Sequence, residues 1–246
     1  MVTFKPQGRL GNWLFCVATA IAYGLEHGFS VYLPGVTNDQ YHDPIYSMGG
    51  LPTTNFSDID RIIVEQQYYR YDKLPFDQSY RSQNILLRGY FQNPKYFQDY
   101  RKEIIETLGF QYNKHQEDTV SVHVRRGDYL TLQHKHPLVT KEWYENAMDL
   151  FKGKEFYFFS DDIEWCQREF GGRKDCSFSV RQNELTDLQQ ISQCEHHINS
   201  ASTFSWWGAW LNQNPNKKVI VPKRWLTESH SNEWTEEIVP KEWIRI

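Results

Sequence analysis

From about residue 116 onward, short β-branched and aromatic runs alternate with segments of helical period. The pattern predicts strands at 120–124, 155–159, 177–180, 195–198 and 218–221, with helices at 141–151, 162–170, 186–194 and 204–213 between them. Strands separated by helices imply a parallel sheet wrapped on both faces. Asp161 with Glu164, and Thr186 with Gln189, have capping-box spacing. The segment from Asn212 to Lys218, with Pro215 inside it, reads as a helix stop and turn.

The first half is less regular. It opens with a predicted strand at 2–5, a glycine loop Gly8-Arg9-Leu10-Gly11, a helix over 12–27 and a strand at 29–33. Residues 35–80 read mostly as loop, and a strand at 84–88 precedes Gly89-Tyr90-Phe91-Gln92. A helix over 94–108 follows, with Tyr96, Phe97, Tyr100, Ile104, Ile105 and Leu108 at helical spacing. The polar stretch 111–118 is the linker candidate. The expected organisation is therefore two α/β domains, 1–115 and 116–246, facing each other across a central cleft.

The apolar run from Leu14 to Leu25 follows Lys5 and Arg9 and contains Ala18-Thr19-Ala20, which superficially resembles a secretory leader. Gly11-Asn12 lies inside that supposed leader, however, and Glu26-His27 follow at once. The run is also too short to span a bilayer, so it reads as the helix of a soluble domain.

Composition narrows the function classes. The chain has 246 residues with 16% aromatics, enough to fill a real core. The net charge of −4 comes without a basic block, which disfavours nucleic acid as partner. Cys16, Cys166, Cys176 and Cys194 are widely spaced and form neither a CxxC pair nor a zinc-ligand pattern with histidine. Reduced thiols in a cytoplasmic protein are the simplest account.

Four segments carry candidate chemistry. Ser121-Val122-His123-Val124-Arg125-Arg126-Gly127-Asp128-Tyr129 delivers two guanidinium groups from a strand end into a Gly-Asp turn, where ligands of open α/β sheets sit. Planar five-donor guanidinium suits phosphate oxygens, although a surface turn with Asp128 paired to an arginine has the same composition. The strand Phe156-Tyr157-Phe158-Phe159 ends in Ser160-Asp161-Asp162, where a carboxylate can accept from guanine N1-H and its amino group or can cap the next helix. In Asn199-Ser200-Ala201-Ser202-Thr203-Phe204-Ser205, a strand ends in a hydroxyl-rich loop that starts a helix, an arrangement suited to an anion. The tryptophans that follow read as core, leaving Thr203 and Phe204 as the ligand candidates. The loop of Gly8 and Gly11 runs into a helix and could also face an anion, or be a plain turn.

The ordered set of motifs resembles the α-1,2-fucosyltransferases of glycosyltransferase family eleven. It comprises Gly8-Arg9-Leu10-Gly11-Asn12, Gly89-Tyr90-Phe91-Gln92, His123-Val124-Arg125-Arg126-Gly127-Asp128, Phe159-Ser160-Asp161-Asp162-Ile163-Glu164-Trp165 and Ser202-Thr203-Phe204-Ser205-Trp206-Trp207-Gly208-Ala209-Trp210-Leu211. The resemblance implies a GT-B-like fold of two Rossmann-like domains, a C-terminal one binding GDP-L-fucose and an N-terminal one on the acceptor side. It implies inverting transfer of fucose, as by a galactoside 2-α-L-fucosyltransferase, to the 2-OH of a galactosyl unit in an oligosaccharide or lipid-linked glycan, without a metal or cofactor. Arg125 would contact the β-phosphate, with His123 and Arg126 organising the turn. Asp161, beside Ser160, would read guanine, and Ser202, Thr203 and Phe204 would hold diphosphate and ribose. Gly8, Gly11 and Asn12 would approach from the other domain, Asn12 near the sugar or pyrophosphate. No residue is singled out as base; Asp128 and His123 are the nearest candidates.

Three departures from the family pattern bear on the acceptor side. Trp13 stands where glutamine is usual, the 35–80 region is short, and the membrane anchor of animal members has no counterpart in this sequence. The last point suggests a soluble bacterial enzyme in the cytoplasm, at most peripheral to the inner membrane. Rival readings are another linkage such as α-1,6, a non-catalytic GDP-sugar-binding protein, and a glycosidase using Asp161 and Asp162. Adjacent carboxylates at a helix start do not readily flank a bond at the separation of ~5–9 Å that glycoside hydrolysis needs.

Overall fold

The computed structural model describes residues 1–35, 46, 49–110, 115–180 and 183–246. The chain divides into two compact units, Met1–Gln111 with Trp234–Val239, and Tyr112–Glu233 with Pro240–Ile246.

In the first unit a three-stranded parallel sheet has the order β1 (Val2–Phe4), β5 (Ile85–Arg88), β4 (Arg61–Val64). A two-residue pair, β2 (Leu33–Pro34) with β3 (Thr53–Thr54), forms a separate ladder. Helix α1 (Leu10–His27) is buried along nearly its whole length, so the apolar run at 14–25 is core rather than leader. No helix among the described residues is long and apolar enough to cross a membrane. Residues 234–239 join this unit through Glu237, whose Oε2 accepts from Asn93 Nδ2 at 2.9 Å and from Lys95 Nζ at 2.7 Å.

Several first-half expectations are corrected. Helix α1 begins at Leu10, with Arg9 as its N-cap, so Leu10 and Gly11 are helical rather than loop. Only Val31 of the expected 29–33 strand makes a bridge, to Val2, before β2 at 33–34. Within 35–80, β4 at 61–64 is a true strand of the main sheet, while 36–45 and 47–48 lie outside the described residues. The segment 94–108 is not one helix: 3-10 turns at Pro94–Tyr96 and Gln98–Tyr100 precede α2 (Arg101–Thr107). Phe97, at φ −149 and ψ −6, is not helical and breaks the periodic run in two. Of the predicted linker, 111–114 lie outside the described residues and 116–118 already belong to a strand.

The second unit holds a six-stranded, all-parallel sheet. Its strands are β6 (Gln116–Val124), β7 (Glu155–Ser160), β8 (Cys176–Phe178), β9 (Cys194–Asn199), β10 (Val219–Val221) and β11 (Ile244–Arg245), in the spatial order β11-β10-β9-β6-β7-β8. The connecting helices are α3 (Lys141–Met148), α4 (Ile163–Phe170), α5 (Glu184–Gln193) and α6 (Thr203–Leu211). β6 is the first strand of the unit; the chain adds β7 and β8 on one side and β9 to β11 on the other. The strand order therefore reverses between β6 and β9, which makes that edge of β6 the topological switch point.

Alternation along β6 explains why both faces must be covered. Val120, Val122 and Val124 pack with Phe156, Phe158, Tyr144 and Phe170 in one core, while Ser121 and His123 are buried on the opposite face. Ser121 Oγ lies 2.8 Å from His197 Nδ1, and Asn212 Nδ2 donates to His197 Nε2 at 2.7 Å. A donor on Nε2 fixes the proton on Nδ1, so Ser121 Oγ is the acceptor of that bond. Burial drives the His197 pKa well below its ordinary value and keeps the ring neutral. Trp206, Trp207 and Trp210 of α6 are buried, and Trp206 packs on Trp243 with centroids 5.5 Å apart. Fully burying such a side chain contributes roughly 2–3 kcal/mol. These tryptophans are therefore core, as the sequence suggested.

Helix starts differ from the capping expectation. The N-cap of α4 is Asp162, whose Oδ1 accepts from Trp165 N at 3.2 Å, not Asp161. The N-cap of α5 is Asn183, accepting from Thr186 N at 2.9 Å, so Thr186 lies inside the helix.

Candidate functional site

The carboxyl ends of β6, β7 and β9 lie side by side, since Val124 pairs with Ser160 and His123 with Asn199. This register brings the arginine turn, the Ser-Asp-Asp turn and the hydroxyl loop to one edge of the sheet.

Arg125 is held from two sides. Its Nη1 lies 2.9 Å from Asp161 Oδ2 and its Nη2 2.6 Å from Asp128 Oδ1, and its guanidinium carbon sits 5.5 Å from the Tyr129 ring centre. Arg126 N donates to Asp161 Oδ1 at 2.9 Å, Arg126 Nε to Asp162 Oδ2 at 3.0 Å, and its guanidinium stacks 4.3 Å over Trp165. Asp161 thus joins the two arginines of the turn, one oxygen to each. A Cβ at Gly127 would overlap the Asp161 carboxylate, so only glycine lets that carboxylate reach both arginines. The Arg125 and Asp161 side chains are only 17% and 16% exposed, so their attraction is less screened than that of a surface pair.

The hydroxyl loop is fastened to the same turn. His123 Nδ1 lies 2.8 Å from Ser200 Oγ, Ser200 N donates to His123 O at 3.2 Å, and Tyr129 Oη donates to Ala201 O at 2.8 Å. Phe204, half-buried, tilts against His123 with ring centres 5.5 Å apart. Ser202 is the N-cap of α6 yet makes no side-chain cap bond, and Thr203 opens the helix. No acidic side chain stands in that first turn. The positive end of the helix dipole is therefore not offset locally and favours an anion. Ser160 turns inward: its Oγ accepts from Asp162 N at 2.9 Å and so shapes the turn.

Electrostatics limits what the two base candidates can do. Burial, with a further push from Arg125, lowers the His123 pKa to about 3, so its imidazole is neutral at physiological pH and too weak a base to take a proton there. Asp128 is tied to Arg125, as a structural partner would be. His136 stacks on Tyr129 at 4.3 Å, and burial takes its pKa down to about 4. Among the described residues no group of three His, Cys, Asp or Glu is placed to hold a metal ion.

Gly8, Gly11 and Asn12 belong to the first unit. Gly8, at φ +71, lies against the Asn12 amide, where a Cβ would collide. Asn12, in the first turn of α1, accepts from Gln92 Nε2 at 2.8 Å. Trp13, fully buried, packs edge-on against Phe4 at 5.8 Å and Tyr46 at 6.2 Å. Its place is the core of its own unit.

Sequence reasoning missed four contributors: Tyr129 under Arg125, Trp165 under Arg126, Ser200 on His123, and Asp162 as partner of Arg126. Trp165 follows the capping Asp162 by three residues, so both fall on one face of the helix start, a signal the sequence did contain.

Residues 54–246 match glycosyl transferase family 11. An α-1,2-colitosyltransferase of Escherichia coli is 30% identical over 179 residues, 64% of this chain and 61% of that protein. Galactoside 2-α-L-fucosyltransferase Sec1 of Mus musculus is 27% identical over 241 residues, 86% of this chain and 64% of that protein. The chain thus spans about three fifths of the length of these relatives. Among solved structures, Arabidopsis thaliana FUT1 in complex with GDP superposes with a TM-score of 0.54 at 11% identity, covering 95% of this chain and 71% of that one. That likeness concerns the fold, a GT-B-like α/β architecture with parallel sheets. With the family match spanning most of the chain, and the arginine, Ser-Asp-Asp and hydroxyl-loop segments all inside it, the chain belongs to glycosyl transferase family 11.

Proposed function

We propose that this chain is an inverting glycosyltransferase that moves L-fucose from GDP-β-L-fucose to the 2-OH of a galactosyl residue. The observation that carries the reading is Arg125, held by Asp128 and Asp161 at the end of the central strand, beside the switch point where nucleotides bind in such sheets. Family membership and the α-1,2 linkage in both relatives' names support it.

In this reading the second unit takes the donor. Arg125 meets the β-phosphate; Ser202, Thr203 and the first amides of α6 meet the remaining diphosphate oxygens; Phe204 packs against the ribose. Guanine recognition by Asp161 uses the second lone pair of each oxygen, since one pair on each is already committed to the arginine turn. Breaking the fucosyl C1–O bond leaves added negative charge on the β-phosphate and a cationic sugar. Donors fixed beforehand stabilise that charge more in the transition state than in the ground state. The cationic character of the sugar lowers the demand for a strong base. The acceptor is a galactose-containing oligosaccharide or lipid-linked glycan.

A second reading keeps the site and the linkage but changes the sugar, because one relative is named for colitosyl transfer. Incubation with GDP-fucose or GDP-colitose and a panel of β-galactosides, followed by NMR of the product, tests both. An α-1,2-fucosyl galactoside is the expected product. An α-1,6 linkage, or a bound donor with no transfer to any acceptor, contradicts the proposal.

A further inference from the structure

Glu65 directly follows β4, in a stretch that reads as loop from sequence, and its side chain is buried inside the first unit. Both oxygens are used: Oε2 accepts from Tyr90 N at 2.7 Å and Oε1 from Phe91 N at 3.1 Å. The turn it grips is Gly89-Tyr90-Phe91-Gln92. Phe91 is held there at φ +51, a left-handed conformation that costs a phenylalanine about 1–2 kcal/mol unless its surroundings enforce it. A Cβ at Gly89 would overlap the Glu65 side chain, and Cys16 Sγ, from α1, donates to Gly89 O at 3.3 Å. The turn is thus fixed on two sides, and its last residue, Gln92, donates to Asn12. An anion taken out of water to hold two backbone amides is a costly way to shape a loop that had only to be stable.

We propose that Glu65 is a positioning residue: its ionised carboxylate locks the 89–92 turn so that Gln92 orients the Asn12 amide for sugar transfer. The inference rests on the fucosyl-transfer reading, to which the family resemblance makes Asn12 a contributor. Only the carboxylate form can accept from both amides. A protonated Glu65 turns one oxygen into a donor facing an N–H, and the grip loosens. Burial raises the Glu65 pKa to about 7, against its two amide bonds, so the change falls near neutrality. The groups facing it stay uncharged there: the Cys16 thiol of α1 and the Tyr90 and Tyr96 phenols all have pKa values raised by burial. Arg61, Asp72 and Lys73 are the charged groups that line, with Glu65, a cavity of about 250 Å³.

The test follows kcat and KM for fucosyl transfer from about pH 5.5 to 8.5 in wild type and Glu65→Gln, with GDP affinity by calorimetry and ¹⁵N NMR of the Tyr90 and Phe91 backbone amides and the Asn12 side-chain amide. Wild-type kcat is expected to fall about tenfold on the acid side of a midpoint near 7, roughly the effect of one lost charge-assisted hydrogen bond. The three amides titrate with that midpoint. Glu65→Gln is low and flat across the range, with GDP affinity unchanged. Gln92→Ala lowers kcat as much, yet keeps the Tyr90 and Phe91 titration. A Glu65→Gln enzyme that retains both the wild-type rate and the acid limb overturns the inference. If no acceptor is fucosylated, the amides decide alone: a shared midpoint upholds the relay and refutes only the fucosyl reading, whereas flat amides overturn the relay.

Discussion

Asp161 Oδ2 lies 2.9 Å from Arg125 Nη1 while its Oδ1 accepts from the Arg126 backbone at 2.9 Å, so one carboxylate aims the Arg125 guanidinium and pins the turn at the end of the central strand. Asp128 and Asp161 together aim the Arg125 guanidinium. Removing a donor already in place costs transition-state stabilisation directly. Arg125→Ala should lower the transfer rate about 10²–10³-fold with the fold intact by circular dichroism. Arg125→Lys should not restore it, since a single ammonium cannot hold Asp128 and Asp161 and also present a planar fork.

Gly127 allows Asp161 its close approach. Gly127→Ala must push the carboxylate off the arginines, and GDP affinity should fall about tenfold or more, in line with the loss of a charge-assisted contact. Calorimetric titration of the variant beside the wild type measures this; equal affinities would mean that Asp161 does not aim Arg125 for the ligand.

Asp162 does two jobs, capping α4 through Oδ1 and pairing with Arg126 through Oδ2. Asp162→Ala should cost about 1–2 kcal/mol for the cap alone, more with Arg126 left unpaired. Asp162→Asn keeps the cap and should recover the larger part. Urea denaturation of both variants separates the two contributions.

His123 and His197 are buried and neutral in the folded protein, with His123 resisting protonation down to about pH 3 against 6.5 for the free side chain. In the unfolded chain both take up protons near the ordinary value. Folding stability is therefore complete above about pH 6.5 and declines as the pH falls below it, by up to ~1.4 kcal/mol per pH unit for each histidine. With Glu65 replaced by Gln, the midpoint of thermal unfolding should drop steadily from pH 7 to 4. Glu65, raised to about 7 in the fold, contributes with the opposite sign over part of this range, so the profile is read in Glu65→Gln; a flat profile in that variant would mean that these rings are charged or exposed.

Much of this was legible in the sequence where local signals agree with tertiary structure. The second unit alternates buried strands with well-formed helices, and its strand and helix bounds fall within a few residues of the pattern. The misplaced cap shows the limit: Asp161 and Asp162 are equivalent as cap residues, and Asp161 instead meets Arg125 at the end of the neighbouring strand β6. The first unit hides more. β4 is four residues long, opens on Arg61 and runs straight into Glu65, so nothing in its surroundings announces a sheet strand. Glu65 acquires its meaning only when β4 and β5 pair and bring it under the 89–92 turn. The helical spacing from Tyr96 to Leu108 is real, but it is interrupted at Phe97, which packs edge-on against Phe15 with ring centres 5.7 Å apart.

The central claim is that the edge built from Arg125, Asp161 and the 200–204 loop holds the nucleoside diphosphate of the donor. Calorimetric binding of GDP and UDP to wild type and Arg125→Ala, in the presence of EDTA, tests it most directly. The account predicts guanine-selective binding to the wild type that is lost or severely weakened in the variant. GDP binding that survives unchanged in Arg125→Ala, or no GDP binding at all, would contradict it.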